Sequence, residues 1–228
     1  MAGTSDSQAL RIDTGDGTVG ALLDRPAEAF AVYVLAHGAG AGMHHSFMAA
    51  LSQALAANGV ATLRFQFPFM EQGSKRPDAP AVAHSAIRAA VETAARTCGG
   101  LPLFAGGKSF GGRMTSQAQA AAPLPGVQGL VFVGFPLHPA GKPGTDRAVH
   151  LQQVQLPMLF LQGTRDALAD IGLVRQVLQP LGQRATLHEV QDADHAFAVP
   201  ARLKRSRDEV VADLATAAAH WMRSTAHC

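Results

Sequence analysis

The chain has 228 residues, 47% of them hydrophobic, which suits one sizeable core and a single domain over residues 1–228. Nineteen basic against seventeen acidic residues leave a formal charge of +2, too little for a surface that binds nucleic acid. No apolar run approaches the ~20 residues of a bilayer span, and the opening MAGTSDSQ lacks the basic and apolar regions of a secretion signal, so no membrane association and a cytoplasmic location are expected.

Two opening strands are expected over residues 9–13 and 19–24, joined by the turn Gly15-Asp16-Gly17. From residue 31 onward short apolar runs alternate with helical patterns. Strands are expected over 31–36, 61–67, 101–105, 129–134, 157–162 and 185–190, with helices near 45–58, 82–98, 114–122 and 170–179. Near-continuous apolar strands separated by helices predict an α/β fold, a mostly parallel eight-stranded sheet covered by helices on both faces. A last helix opens on a capping box, Ser206 with Glu209, and sets Val210, Leu214, Ala217 and Trp221 on one face. The basic cluster Arg202, Lys204, Arg205 and Arg207 beside that cap reads as a solvated helix start rather than a partner site. Cys98 and Cys228 show neither metal-ligand spacing nor a motive for a disulfide, which suits a reducing compartment.

The chemistry concentrates at residues 106–112, GGKSFGG, which follow an apolar strand-like run. Within it Gly107-Lys108-Ser109-Phe110-Gly111 fits G-x-S-x-G, a strand–turn–helix elbow whose sharp turn lifts a serine hydroxyl above the sheet. A phosphate loop would need glycine where Pro102 stands, and a dinucleotide fingerprint in the loop after residue 36 would need glycine where Met43 stands. His37, His44 and His45 have no further ligand to complete a metal set, so neither metal nor cofactor is expected.

A serine hydroxyl is a weak nucleophile and needs a base in contact and an acid behind the base. Candidates lie after two later strands. LFLQ runs into Gly163-Thr164-Arg165-Asp166, and the run ending at Val190 leads into Gln191-Asp192-Ala193-Asp194-His195. The order serine, aspartate, histidine matches this elbow type, giving Ser109 as nucleophile, His195 as general base and then acid, and Asp166 as the group that orients the imidazole. Asp170 is an alternative acid, though it reads better as a helix start, and Asp192 and Asp194 are placed to brace the histidine loop. Two oxyanion donors are expected, the backbone N–H of Phe110 and that of Ala39 in the small-residue loop His37–Gly42. The short connection over 135–155, with Pro136, Pro139 and Pro143, suits an ordered rim and no mobile cap. Expected lining residues are Met43, His44, Phe69, Met70, Phe135, Leu137 and His138, an apolar set that favours a small or medium uncharged acyl group.

These motifs carry a resemblance. HGAG at 37–40, RFQFPFMEQG at 64–73 with Arg76-Pro77-Asp78, GGKSFGG at 106–112, GFPLHPAGKP at 134–143, LQGTRD at 161–166 and DADHAF at 192–197 cover nearly the whole chain in order. Together they resemble the α/β hydrolases, and within them the small dienelactone-hydrolase-related group that includes the testis-expressed hydrolase-like proteins. The resemblance implies an α/β-hydrolase fold without a lid domain and the Ser109–His195–Asp166 triad. A dienelactone hydrolase proper would carry cysteine at the nucleophile position, so Ser109 shifts the expectation from lactones to small-molecule esters cleaved through an acyl-enzyme. Two other readings stay open at this point: a binding or scaffold module that keeps the fold without catalysis, and a thioesterase or acyltransferase. Oligomeric state is not legible.

Overall fold

In a computed structural model, which describes residues 7–226, the apolar runs assemble into one eight-stranded sheet. Cys228 and all but the last two residues of the opening MAGTSDSQ lie outside the described residues. The strands are β1 (Gln8–Asp13), β2 (Thr18–Asp24), β3 (Ala31–Ala36), β4 (Val60–Phe65), β5 (Leu103–Lys108), β6 (Val127–Val133), β7 (Met158–Gly163) and β8 (Ala185–Val190). Their spatial order is β1-β2-β4-β3-β5-β6-β7-β8. The pairs β1–β2 and β2–β4 are antiparallel, and every pair from β4 through to β8 is parallel.

Parallel strands need crossovers, and the helices supply them on both faces. On one face lie α1 (Ser46–Ala57) and α6 (Arg207–Thr225). On the other lie α2 (Pro68–Glu71), α3 (Pro80–Thr97), α4 (Phe110–Ala121) and α5 (Ile171–Leu178). The two-residue period of β3 shows how the sheet divides its side chains. Ala31, Tyr33 and Leu35 join the cluster under α1 and α6, whereas Val32, Val34 and Ala36 join the one under α3 and α4. The capping box on α6 forms as expected, with Ser206 and Glu209 each accepting from the other's backbone N–H. Trp221 is only partly buried; its ring meets Phe104 edge-on and its indole N–H donates to Thr186 Oγ1 at 3.2 Å.

The expected mostly parallel sheet with helices on both faces is borne out, with boundary shifts that have physical causes. β5 extends three residues beyond its expected end, to Lys108, and α4 begins at Phe110 instead of near residue 114. Glycines at 106, 107, 111 and 112 weaken both the strand and the helix signal there. They are present because neighbouring backbones approach too closely for a side chain. The 3-10 turns Asp146–Gln153, Gln179–Arg184 and Ala201–Leu203, and the one-turn α2, are too short to show a period. The first of these turns lies in the β6–β7 connection.

One buried ion pair was not legible. Arg64 on β4 donates to Asp24 on β2 at 2.7 Å, with both side chains almost fully buried. Ser52 Oγ donates to the same carboxylate at 2.5 Å, and a second Arg64 nitrogen donates to the Met43 carbonyl at 3.0 Å. The pair therefore fastens the far end of the loop after β3 to the sheet. Among the described residues no helix is long and apolar enough to cross a membrane.

Candidate active site

The loops after β3, β5, β7 and β8 all leave the carboxyl edge of the parallel strands, so their residues gather above one end of the sheet. Ser109 stands at the turn between β5 and α4 with φ 51° and ψ −116°, a left-side conformation that costs a non-glycine residue strain. Its N–H is anchored by the Val133 carbonyl at 3.1 Å. The turn is possible because its flanks are bare. A Cβ on Gly107 would meet the Ala36 carbonyl oxygen at 2.2 Å, and one on Gly111 would meet the Ala36 and His37 oxygens at 2.6 Å. Any side chain at either position would drive β3 and the elbow apart.

Ser109 Oγ lies 2.9 Å from His195 Nε2, and His195 Nδ1 lies 2.7 Å from Asp166 Oδ2. The Asp166 side chain is fully buried and surrounded by donors. Gln162 Nε2 reaches Oδ2 at 2.7 Å, and the Leu168 N–H reaches Oδ1 at 2.8 Å. Gln162 is itself fixed through the Phe135 N–H, which donates to its Oε1 at 2.9 Å. An ionised carboxylate accepts only, so the His195 nitrogen facing it carries the proton and Nε2 is left to accept from the serine hydroxyl. The geometry thus allows a proton to move from Oγ to Nε2 while the imidazolium is held by a buried carboxylate. In the sequence the signal for Gln162 is a polar side chain at the end of an otherwise apolar strand.

Asp170 does not share this position; it caps α5 by accepting from the Leu173 N–H at 3.0 Å. Asp194 braces the histidine loop, its Oδ1 accepting from the N–H groups of Ala196 and Ala198 at 2.8 and 2.9 Å. Asp192 pairs with Arg202 at 2.9 Å. Ala39 lines the cleft beside Ser109, and Phe110 opens α4. Among the described residues neither the Ala39 nor the Phe110 N–H donates to a protein acceptor. Beneath this loop His37 is fully buried. Its Nδ1–H donates to the Gly38 carbonyl at 2.7 Å and its Nε2 accepts from the Phe67 N–H at 3.0 Å, while burial pushes its pKa down to about 4. It therefore acts as a neutral strut, not a metal ligand. Among the described residues no three His, Cys, Asp or Glu side chains stand together as a metal set.

Lys108 lies between the elbow's first glycine and its serine, a position that no sequence motif marks as functional. Its Nζ donates to the His195 carbonyl at 2.7 Å and sits 5.4 Å from the centre of the Phe197 ring. The strand that carries the nucleophile is thereby tied directly to the loop that carries the imidazole. Burial lowers the Lys108 pKa from 10.5 to about 8, with Asp166 and Asp194 pulling it partly back up. Between those two values the unfolded chain holds a proton that the folded chain has shed. The contribution of Lys108 to stability therefore rises with pH across that window, while the charge that grips the His195 carbonyl is lost.

The cleft over Ser109 and His195 has a volume of about 380 Å³. Its walls are the loop Gly38–Ala41, His45, Phe47 and Met48 at the start of α1, Lys108, Leu168, Ala196 and Arg207. None of the seven expected lining residues is among them. Phe69 packs with Phe67 and Phe110 in the core, because residues 65, 67 and 69 all point inward beneath the elbow. Phe135 lies against Phe132 and Phe160, and Leu137 is buried beside it. Met43 turns its Sδ–CH₃ end onto Gly20 of β2, held by its own N–H to Gln66 and its carbonyl to Arg64. His138 is buried as a fastener, donating from Nδ1 to the Pro139 carbonyl and accepting at Nε2 from the Asp170 N–H. Met70 packs against the α3/α4 core, and His44 is exposed away from the cleft, one residue before the histidine that lines it.

The sheet order with its elbow defines the α/β-hydrolase class. The chain belongs to the α/β-hydrolase domain family, whose model matches residues 29–223. Among solved structures it is similar to a dienelactone hydrolase from Anabaena variabilis, at 21% identity and a TM-score of 0.77 over 96% of this chain and 98% of that one. It is also similar to a lidless α/β serine hydrolase from Xanthomonas campestris, at 24% identity and a TM-score of 0.73 over 97% and 96%. A third similar structure is Est1E from Butyrivibrio proteoclasticus with bound ferulic acid, at 16% identity and a TM-score of 0.74 over 96% and 100%. At these identities the likeness speaks for the fold.

Proposed function

We propose that the protein is a serine hydrolase that cleaves small or medium carboxylic esters through an acyl-enzyme, working in a reducing cytoplasm as one domain without cofactor or metal. The observation that carries this reading is the unbroken relay from Ser109 Oγ through His195 to the buried Asp166 carboxylate. Ser109 Oγ attacks the ester carbonyl carbon while its proton passes to His195 Nε2, and the new oxyanion takes hydrogen bonds from the Ala39 and Phe110 N–H groups. Collapse expels the alcohol, which takes the proton from His195. Water then enters, gives a proton to Nε2, attacks the acyl carbon and releases the acid and the free serine. The esterase and serine-hydrolase relatives of the same fold support the choice of reaction.

The test is a panel of p-nitrophenyl esters, thioesters, lactones and amides, with a rapid-mixing record of the first turnover. Esters turn over fastest, and p-nitrophenol is released in a burst equal to the enzyme concentration. A folded protein that hydrolyses none of the panel above buffer would defeat the proposal.

Lys108 acts here as a positioning residue. Lys108→Met lowers kcat by about tenfold to a hundredfold with little change in KM, because the imidazole loop drifts by a fraction of an ångström. In the wild type, kcat falls as the pH rises through about 8, the value to which burial brings this amine, and the variant lacks that limb. Identical kcat and pH profiles for the two proteins would show that the tie to the His195 carbonyl does not matter.

A further inference from the structure

The one basic cluster of the sequence does not behave as a uniform solvated patch. Arg202 is held by Asp192 at 2.9 Å, and Arg205 is held by Asp213. Arg207 has no such partner: among the described residues it forms no ion pair, and its sole hydrogen bond is a long one to Ser46 Oγ at 3.4 Å. Its guanidinium lies instead 5.7 Å from the centre of the Phe47 ring, and both residues line the cleft that contains Ser109 and His195. Packing of α6 against α1 brings this arginine to the rim, far in sequence from Ser109 and from the α1 residues that line it.

A second donor stands on the same rim. His45 Nδ1 accepts from the Phe47 N–H at 3.2 Å as the cap of α1, so in the neutral ring the proton sits on Nε2, free to donate. Met48, Leu168 and Ala196 give the cleft an apolar lining. A guanidinium resting on an aromatic face keeps its planar edge available for two parallel hydrogen bonds, the geometry that a carboxylate matches. Arg202 and Arg205 are held by aspartates, and Lys108 is turned onto the His195 carbonyl. Among the described residues that line the cleft, Arg207 is the cation that meets neither a carboxylate nor a carbonyl, which suits a single carboxylate better than a polyphosphate.

We propose that the cleft selects esters that carry a carboxylate at the end remote from the scissile bond, gripped by Arg207 with the His45 Nε2–H beside it. This rests on the hydrolase reading above and replaces the uncharged acyl group expected from the sequence.

The test uses two matched pairs followed by pH-stat: monoethyl adipate against ethyl hexanoate, with the charge on the acyl side, and 4-acetoxybenzoate against phenyl acetate, with the charge on the alcohol side. In the wild type the carboxylate member of at least one pair has the higher kcat/KM, by about fivefold to tenfold and mainly through KM, and added salt shrinks the advantage. Arg207→Met abolishes the advantage and Arg207→Glu inverts it, with melting curves confirming that each variant is folded. Neutral esters turned over with no carboxylate preference in either pair would overturn the assignment and leave the esterase reading intact. A preference that survives Arg207→Met would do the same. If the wild type turns over no ester and binds no fluorophosphonate, both proposals fall together.

Discussion

Ser109→Ala loses roughly 10⁴–10⁶-fold in ester turnover, because the nucleophile and the proton that His195 collects vanish together. The substitution keeps the Cβ, the strained turn and the Val133 anchor, so the protein remains folded with a melting transition close to that of the wild type. It also leaves His195 and the Ala39 and Phe110 donors in place, and a residual rate above water from those groups alone is expected. The measurement is kcat for p-nitrophenyl butyrate with a melting curve on the same preparation. A variant that turns over at the wild-type rate would remove Ser109 from the mechanism.

Asp166→Asn carries an effect nearly as large, about 10⁴-fold in kcat, for a different reason. The Asp166 carboxylate is met only by donors: His195 Nδ1–H and Gln162 Nε2 on one oxygen, the Leu168 N–H on the other. An asparagine must turn its NH₂ group towards one of those sides. Facing His195, it donates to Nδ1 and drives the proton to Nε2, where the imidazole can no longer accept from Ser109. Facing Leu168, it sets two buried donors against each other and displaces the loop that shapes the cleft. Either way kcat falls far more than KM rises. Equal kcat for Asp166→Asn and wild type would mean that the imidazole needs no oriented partner.

Much of the architecture could be read from residues alone because the parallel strands are buried on both faces. Ala31–Ala36 and Met158–Gly163 are fully buried, and such segments read as continuous apolar runs. The elbow was legible because steric crowding leaves glycine no substitute at 107 and 111. The spacing of Ser109, Asp166 and His195 could be ordered but not measured, since convergence of three strand ends is a property of the sheet. The cleft was the least legible part. Residues chosen for it by proximity to motifs, Phe69, Phe135 and Leu137, turned out to be core, because an apolar side chain beside a motif is needed first to hold the elbow. Part of its wall comes from the first turns of α1 and α6, which pack together on one face of the sheet and share no sequence neighbourhood. The roles of Lys108 and Gln162 are illegible in the sequence for a related reason. Lys108 works by bonding to a main-chain atom on another strand's loop, and Gln162 by linking Asp166 in its own loop to the Phe135 N–H after β6, and nothing in a linear pattern marks such partners.

The most direct measurement is fluorophosphonate labelling of the folded wild-type protein, followed by intact mass and peptide mapping. The relay described here predicts a single adduct per chain, on the peptide containing Ser109, and none on Ser109→Ala or His195→Ala. A folded wild-type protein that takes no label, or takes it at another residue, would contradict the claim that Ser109 is the activated nucleophile.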